Sequence, residues 1–157
     1  MNTATAPARR HRACLHGRHL SALVVLALPL LGAAPADGAT VKVALTARHR
    51  TVTLLPGVPG LKVRAWTFNG GIPGPVVRAR VGDTVQITLH NADPMHDHSV
   101  DFHASEVNPM AVMAAVKPGR TKTISFVAHR SGVFMYHCGT GPVLRHVAMG
   151  MYGMVIV

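Results

Sequence analysis

The sequence predicts an all-β fold, a two-sheet antiparallel sandwich. From Thr40 onward the apolar residues come in short runs rather than long ones. Glycine and proline break those runs at intervals, and no stretch sustains a helical period. Many short strands in one domain-sized chain bury their apolar faces best as two packed sheets.

Each element follows from its own pattern. Val41–Leu45 alternates apolar and polar side chains, as a half-buried strand does. Thr51–Leu55 and Leu61–Phe68 come next, parted by Pro56-Gly57. The run Gly70-Gly71-Ile72-Pro73-Gly74-Pro75 leads into a strand at Val76–Val81, and Gly82-Asp83 turns into Val85–Leu89. Ser99–Phe102 reads as a short strand, and Met110–Val116 as either a helical turn or another strand. Lys117-Pro118-Gly119 precedes Thr121–Val127, Ser131-Gly132 precedes Val133–Cys138, and Met151–Val157 closes the domain.

The first residues read as an export signal. Arg9, Arg10, Arg12 and Arg18 precede an apolar run from Leu20 to Leu31, and Ala34-Pro35-Ala36 supplies a small-x-small cleavage site. The run is too short for a spanning helix. Residues 1–36 are therefore expected to be a signal peptide and residues 37–157 a single domain, periplasmic or secreted, with no membrane span. Arg9-Arg10 leaves a twin-arginine route open, and Cys14 lies before the apolar run, not after it.

Composition narrows the function. The chain of 157 residues carries a formal charge of +10, but its basic residues are scattered and few aromatics accompany them. That argues against nucleic-acid binding and suits an anionic small molecule or acidic partner. Of the two cysteines, only Cys138 falls in the expected mature domain, so no internal disulfide can form there. A lone thiol in an exported protein needs protection, through burial or metal ligation.

Cys138, His146 and Met151 follow one another at Cys-x7-His-x4-Met. A thiolate, an imidazole and a thioether are soft mixed donors, and with a second imidazole they make the site that favours copper and electron transfer. His98, at the start of a strand, is the natural second imidazole. Met149 rivals Met151 as the axial donor, because a two-residue shift keeps the strand face. The bland alternative is that Cys138 and Met151 simply fill the core.

Alternation suggests a second face. If His98 and Cys138 meet over the core, then His103 and His137 both turn outward, with Asp101 beside them. Two imidazoles can hold a catalytic metal, and a carboxylate next to them can relay protons to whatever it binds. A third ligand would have to come from His90, His96, His129, water or another chain.

These residues resemble the first, copper-bearing cupredoxin domain of the copper-containing nitrite reductases, within the multicopper oxidase superfamily. The resemblance runs from Trp66 to Val157. It is carried by Thr67-Phe68-Asn69-Gly70, Pro73-Gly74-Pro75, Gly82-Asp83, His98-Ser99-Val100-Asp101-Phe102-His103, Arg130-Ser131-Gly132, Tyr136-His137-Cys138 and His146-Val147-Ala148-Met149-Gly150-Met151. It implies a cupredoxin-like Greek-key β-sandwich. It also implies type 1 copper on His98, Cys138, His146 and Met151, type 2 copper on His103 and His137, and Asp101 as the active-site carboxylate. The family pattern further implies a homo-oligomer, a trimer, with a small redox protein as electron donor and nitrite as substrate.

Two features depart from that pattern. No counterpart of the family's second domain, which brings the third type 2 histidine and a second catalytic histidine, is expected in this chain. The Cys138-to-His146 loop is one residue short. The sharpest rival is a single-domain blue copper electron carrier. A multicopper oxidase of laccase type fits less well, since His96-Asp97-His98 is one H-x-H pair and Gly139, not histidine, follows Cys138. Copper storage through Met95, Met110 and Met113 lacks a methionine cluster.

Overall fold

Alternation in the sequence becomes two four-stranded sheets facing each other across an apolar core. The computed structural model describes residues 38–55, 57–58, 60–106 and 114–157. The expected signal peptide and residues 110–113 of the undecided segment lie outside the described residues. The strands are β1 (Thr40–Thr53), β2 (Lys62–Phe68), β3 (Val77–Arg78), β4 (Thr84–Asn91), β5 (Asp101–Phe102), β6 (Thr121–Val127), β7 (Val133–His137) and β8 (Tyr152–Ile156). One sheet runs β2-β1-β4-β6 and the other β3-β8-β7-β5. Every connection from β2 to β7 crosses between the sheets.

The core forms where the two inner faces meet. On β4, Val85, Ile87 and Leu89 are buried while Thr84, Gln86 and Thr88 alternate with them. Across the gap, Phe102 stacks on Tyr136 with ring centroids 4.9 Å apart, and Phe68 and Phe126 pack around them. Burial of the Tyr136 ring raises its phenol pKa, and its hydroxyl donates to the Pro75 carbonyl at 2.7 Å.

Some expectations need correction. Val41–Leu45 and the first three residues of Thr51–Leu55 belong to one long strand, because β1 changes partner along its length. Thr40–Ala47 pairs with β4, and Ala47–Thr53 pairs with β2. The polar residues between the two apolar runs are thus still laddered. The Asn69 side chain pins this junction, accepting from Thr46 N–H and donating to the Ala44 carbonyl. Nor are the sheets wholly antiparallel: β1 runs parallel to β4, and β3 parallel to β8.

Val143–Ala148 is a short helix where the sequence suggested only loop. Six residues give too little periodicity to see. Gly150 follows its C-terminus at φ +114°, and that turn lets the Met151 N–H reach the His146 carbonyl at 3.1 Å.

Candidate metal centres

The end of β7 and the helix Val143–Ala148 bring the inner donors together. Phe134, Tyr136 and Cys138 point inward from β7 by alternation, so Cys138 is fully buried. His98 Nδ1, Cys138 Sγ and His146 Nδ1 all lie within 4.8 Å of one another. Cys138 Sγ is 3.3 Å from His146 Nδ1 and 3.9 Å from His98 Nδ1, and the two Nδ1 atoms are 3.3 Å apart. Donors about 2.0–2.3 Å from one ion in a trigonal plane stand about 3.5–3.8 Å apart. The triangle fits.

Its surroundings hold the donors ready. The Asp93 carboxylate accepts from His98 Nε2–H at 2.8 Å, which turns the Nδ1 lone pair toward Cys138. Ser99 N–H donates to Cys138 Sγ at 3.4 Å, the kind of contact that stabilises a thiolate. The Ser99 hydroxyl accepts in turn from Gly139 N–H and Thr140 Oγ1. Burial holds the His146 imidazole at a pKa of about 4, helped by the neighbouring His98, His96 and Arg145 charges and opposed by Asp93. Burial likewise lowers His98, against the pull of Asp93. Both imidazoles are thereby kept neutral, as ligation requires. Met151 is fully buried and joined to this site by its backbone: its carbonyl accepts from Cys138 N–H at 3.0 Å. Its rival Met149 is only half-buried at the helix end.

The outer donors sit one residue away on the other side of the strand. Asp101 on β5 pairs directly with His137 on β7, and His103 N–H bonds to the Met135 carbonyl. His103 Nε2 and His137 Nε2 are 3.0 Å apart, and Asp101 Oδ2 is 3.8 and 3.9 Å from them. His137 Nδ1–H donates to the Cys138 carbonyl at 3.0 Å, leaving Nε2 as the free donor. His103 is exposed and the other two are mostly covered, so the group opens to solvent on one side.

The remaining histidines do not complete this outer group among the described residues, where its third member is Asp101. His90 bonds to Thr121, His129 is exposed, and His96 lies against Asp93. Sequence reasoning missed Asp93 and Ser99. Asp93 gave no signal beyond its spacing five residues before His98, and Ser99 reaches the Cys138 sulfur through its backbone, which sequence does not advertise.

No helix among the described residues is long and apolar enough to cross a membrane. Residues 48–157 match the multicopper oxidase family profile. The chain is 40% identical over 121 residues to a copper-containing nitrite reductase of Neisseria meningitidis serogroup B, covering 76% of this chain and 30% of that protein. Among solved structures, it resembles a copper nitrite reductase from Nitrosomonas europaea with a TM-score of 0.71 and 46% identity, over 75% of this chain and 41% of that one. A copper-containing nitrite reductase from Thermus scotoductus follows with a TM-score of 0.68 and 36% identity, over 76% and 28%. The chain thus spans under a third of the length of the curated relative just described. Fold, profile and similarity agree, and the chain belongs to the multicopper oxidase family.

Proposed function

We propose that the chain is a cupredoxin domain of nitrite-reductase type, which reduces nitrite to nitric oxide with a type 1 copper at the inner triad and a type 2 copper at the outer pair. The observation that carries this is the pairing of the two donor sets. A buried Cys-His-His triangle and an open His-His-Asp group are joined through the single peptide bond between His137 and Cys138. A plain electron carrier has no need of the second group.

Copper, when bound, supplies one-electron redox chemistry at the inner site and an electrophilic seat for nitrite at the outer one. His98, Cys138, His146 and Met151 would hold the first ion, and His103 and His137 would take part in holding the second. The burial of Cys138 keeps water from the thiolate, and the His137–Cys138 backbone gives the electron a covalent path. Converting nitrite to nitric oxide and water takes up one electron and two protons. Asp101, mostly covered and turned toward both outer imidazoles, is placed to relay the two protons in turn from solvent to one nitrite oxygen, which leaves as water. The third outer imidazole comes from a second copy or a partner, so activity depends on assembly. A small redox protein supplies the electron. The proposal also takes residues 1–36 as a signal peptide and residues 37–157 as the exported domain.

A second reading, a blue copper electron carrier, is favoured by one observation: among the described residues the outer group contains two imidazoles and not three. Copper counting with electron paramagnetic resonance separates the two. Two coppers per chain with distinct type 1 and type 2 signals, and nitrite-dependent nitric oxide release, are the expected result. One copper with a type 1 signal alone sinks the enzyme in favour of the carrier.

A further inference from the structure

Three imidazoles converge on one buried carboxylate oxygen. Asp93 is fully buried, and its Oδ2 stands 2.8 Å from His98 Nε2, 2.8 Å from His49 Nε2 and 3.3 Å from His96 Nδ1. Oδ1 is already engaged by the backbone N–H groups of Met95 and His96. Only His98 meets Oδ2 in hydrogen-bond geometry. His49 Nε2 and His96 Nδ1 are buried atoms with no hydrogen-bond partner, although each lies against the carboxylate.

Two ring nitrogens packed against a carboxylate oxygen without a hydrogen bond to it are left free to ligate an ion. Nitrogen and oxygen donors about 2.1 Å from one ion stand about 3.4 Å apart at tetrahedral angles. His49 Nε2, Asp93 and His96 already offer donor atoms within 4.8 Å of one another, so closing on an ion needs only small adjustments. Two imidazoles and a carboxylate suit a borderline divalent ion.

We propose that His49, Asp93 and His96 form a further metal site, which takes a divalent cation of the zinc and copper class through two imidazole nitrogens and one carboxylate oxygen. It is separate from both sites above: His49 and His96 belong to neither, and Asp93 touches the inner triad only through His98. The donors come from different parts of the fold, His49 from β1 and the other two from the segment after β4. Trp66, which pairs with His49 across β1 and β2, orients both rings. It stacks on His49 at 5.5 Å and 8°, and lies 4.5 Å from His96.

Access is open on one side. His49 and His96 are each about one-third exposed, and they line a cleft of about 240 Å³ with Trp66. Arg64 and Arg145 line the same cleft, so the remaining coordination position suits water or a small anion. The three-donor, one-open arrangement leaves that position exchangeable.

The metal-free full chain is titrated with Zn²⁺, and bound zinc is counted by mass spectrometry. Wild type is compared with His49→Ala, His96→Ala and His129→Ala, the last an exposed histidine outside all three donor groups. The expected result is one zinc fewer per chain in each of the first two variants, with the wild-type count kept in His129→Ala. Retention of the wild-type count in either His49→Ala or His96→Ala overturns the proposal, as does an equal loss in His129→Ala. The two test residues lie on separate segments, and thermal melting of each variant shows that it is folded. The count is a difference between variants, so it stands whatever the inner and outer groups take. Failure of the copper reading is seen separately, as an absent blue absorption band in a copper-loaded sample.

Discussion

Single donor atoms decide what each centre can bind. His98 and His146 share the buried triangle with Cys138, and both are held neutral mainly by burial. Replacing Cys138 with Ser removes the thiolate and should abolish the intense visible band of the copper-loaded chain; a surviving band would mean that another donor makes the blue site. His103 is exposed and touches none of the inner donors, so His103→Ala should lose the type 2 signal and leave the visible band unchanged. A bleached band in that variant would show that the two centres are not separable. The same burial makes the metal-free chain acid-sensitive. An unfolded histidine titrates at about 6.5, and His146 in the fold at about 4. Between these values the unfolded chain binds more protons. The stabilisation is therefore complete above about pH 6.5 and drains away as pH falls toward about 4. Melting temperatures of the metal-free protein should drop across that window, and a flat or rising profile would contradict the shift.

At the scale of elements, the chain's own patterning explains most of what forms. Alternation in Val85–Leu89 and Val133–Cys138 announced two strands and the direction of Cys138, and through it the split between inner and outer donors. The spacing of Cys138, His146 and Met151 marked the inner centre. What stayed hidden has a physical reason in each case. β1 could not be read as one strand, because its partner changes at Ala47, and partnership is a property of the assembled sheet. The helix carrying His146 is shorter than two turns, and the role of Asp93 rests on contacts to β1 and to the loop after β4. Gly153 on β8 shows the same non-local control. It pairs with Tyr136, and an added Cβ would collide with that ring. Tyr136 is fully buried and stacked on Phe102, so it has no room to yield. Gly153→Ala should cost about 1–3 kcal/mol by overpacking, read as a lower denaturant midpoint. A neutral substitution would mean that the β7–β8 pairing is looser than its register implies.

For the whole molecule, the question is what completes the outer centre. Two imidazoles stand 3.0 Å apart with Asp101 beside them, while His90 and His96 are engaged elsewhere and His129 is exposed. An ion held by two imidazoles alone binds more weakly than one held by three protein ligands, which is the usual number at a catalytic site. If a second copy brings the missing donor, then type 2 occupancy must follow association by mass action, while the buried inner site is indifferent to it. The expectation is therefore a split between the two signals on dilution. Measured by light scattering beside electron paramagnetic resonance, the type 2 signal per chain and the rate of nitric oxide release should fall together as oligomers dissociate. The type 1 signal per chain should stay constant. A type 2 signal that persists in a monomer of verified mass would place the third ligand within this chain or in solvent, and would remove the need for a second copy.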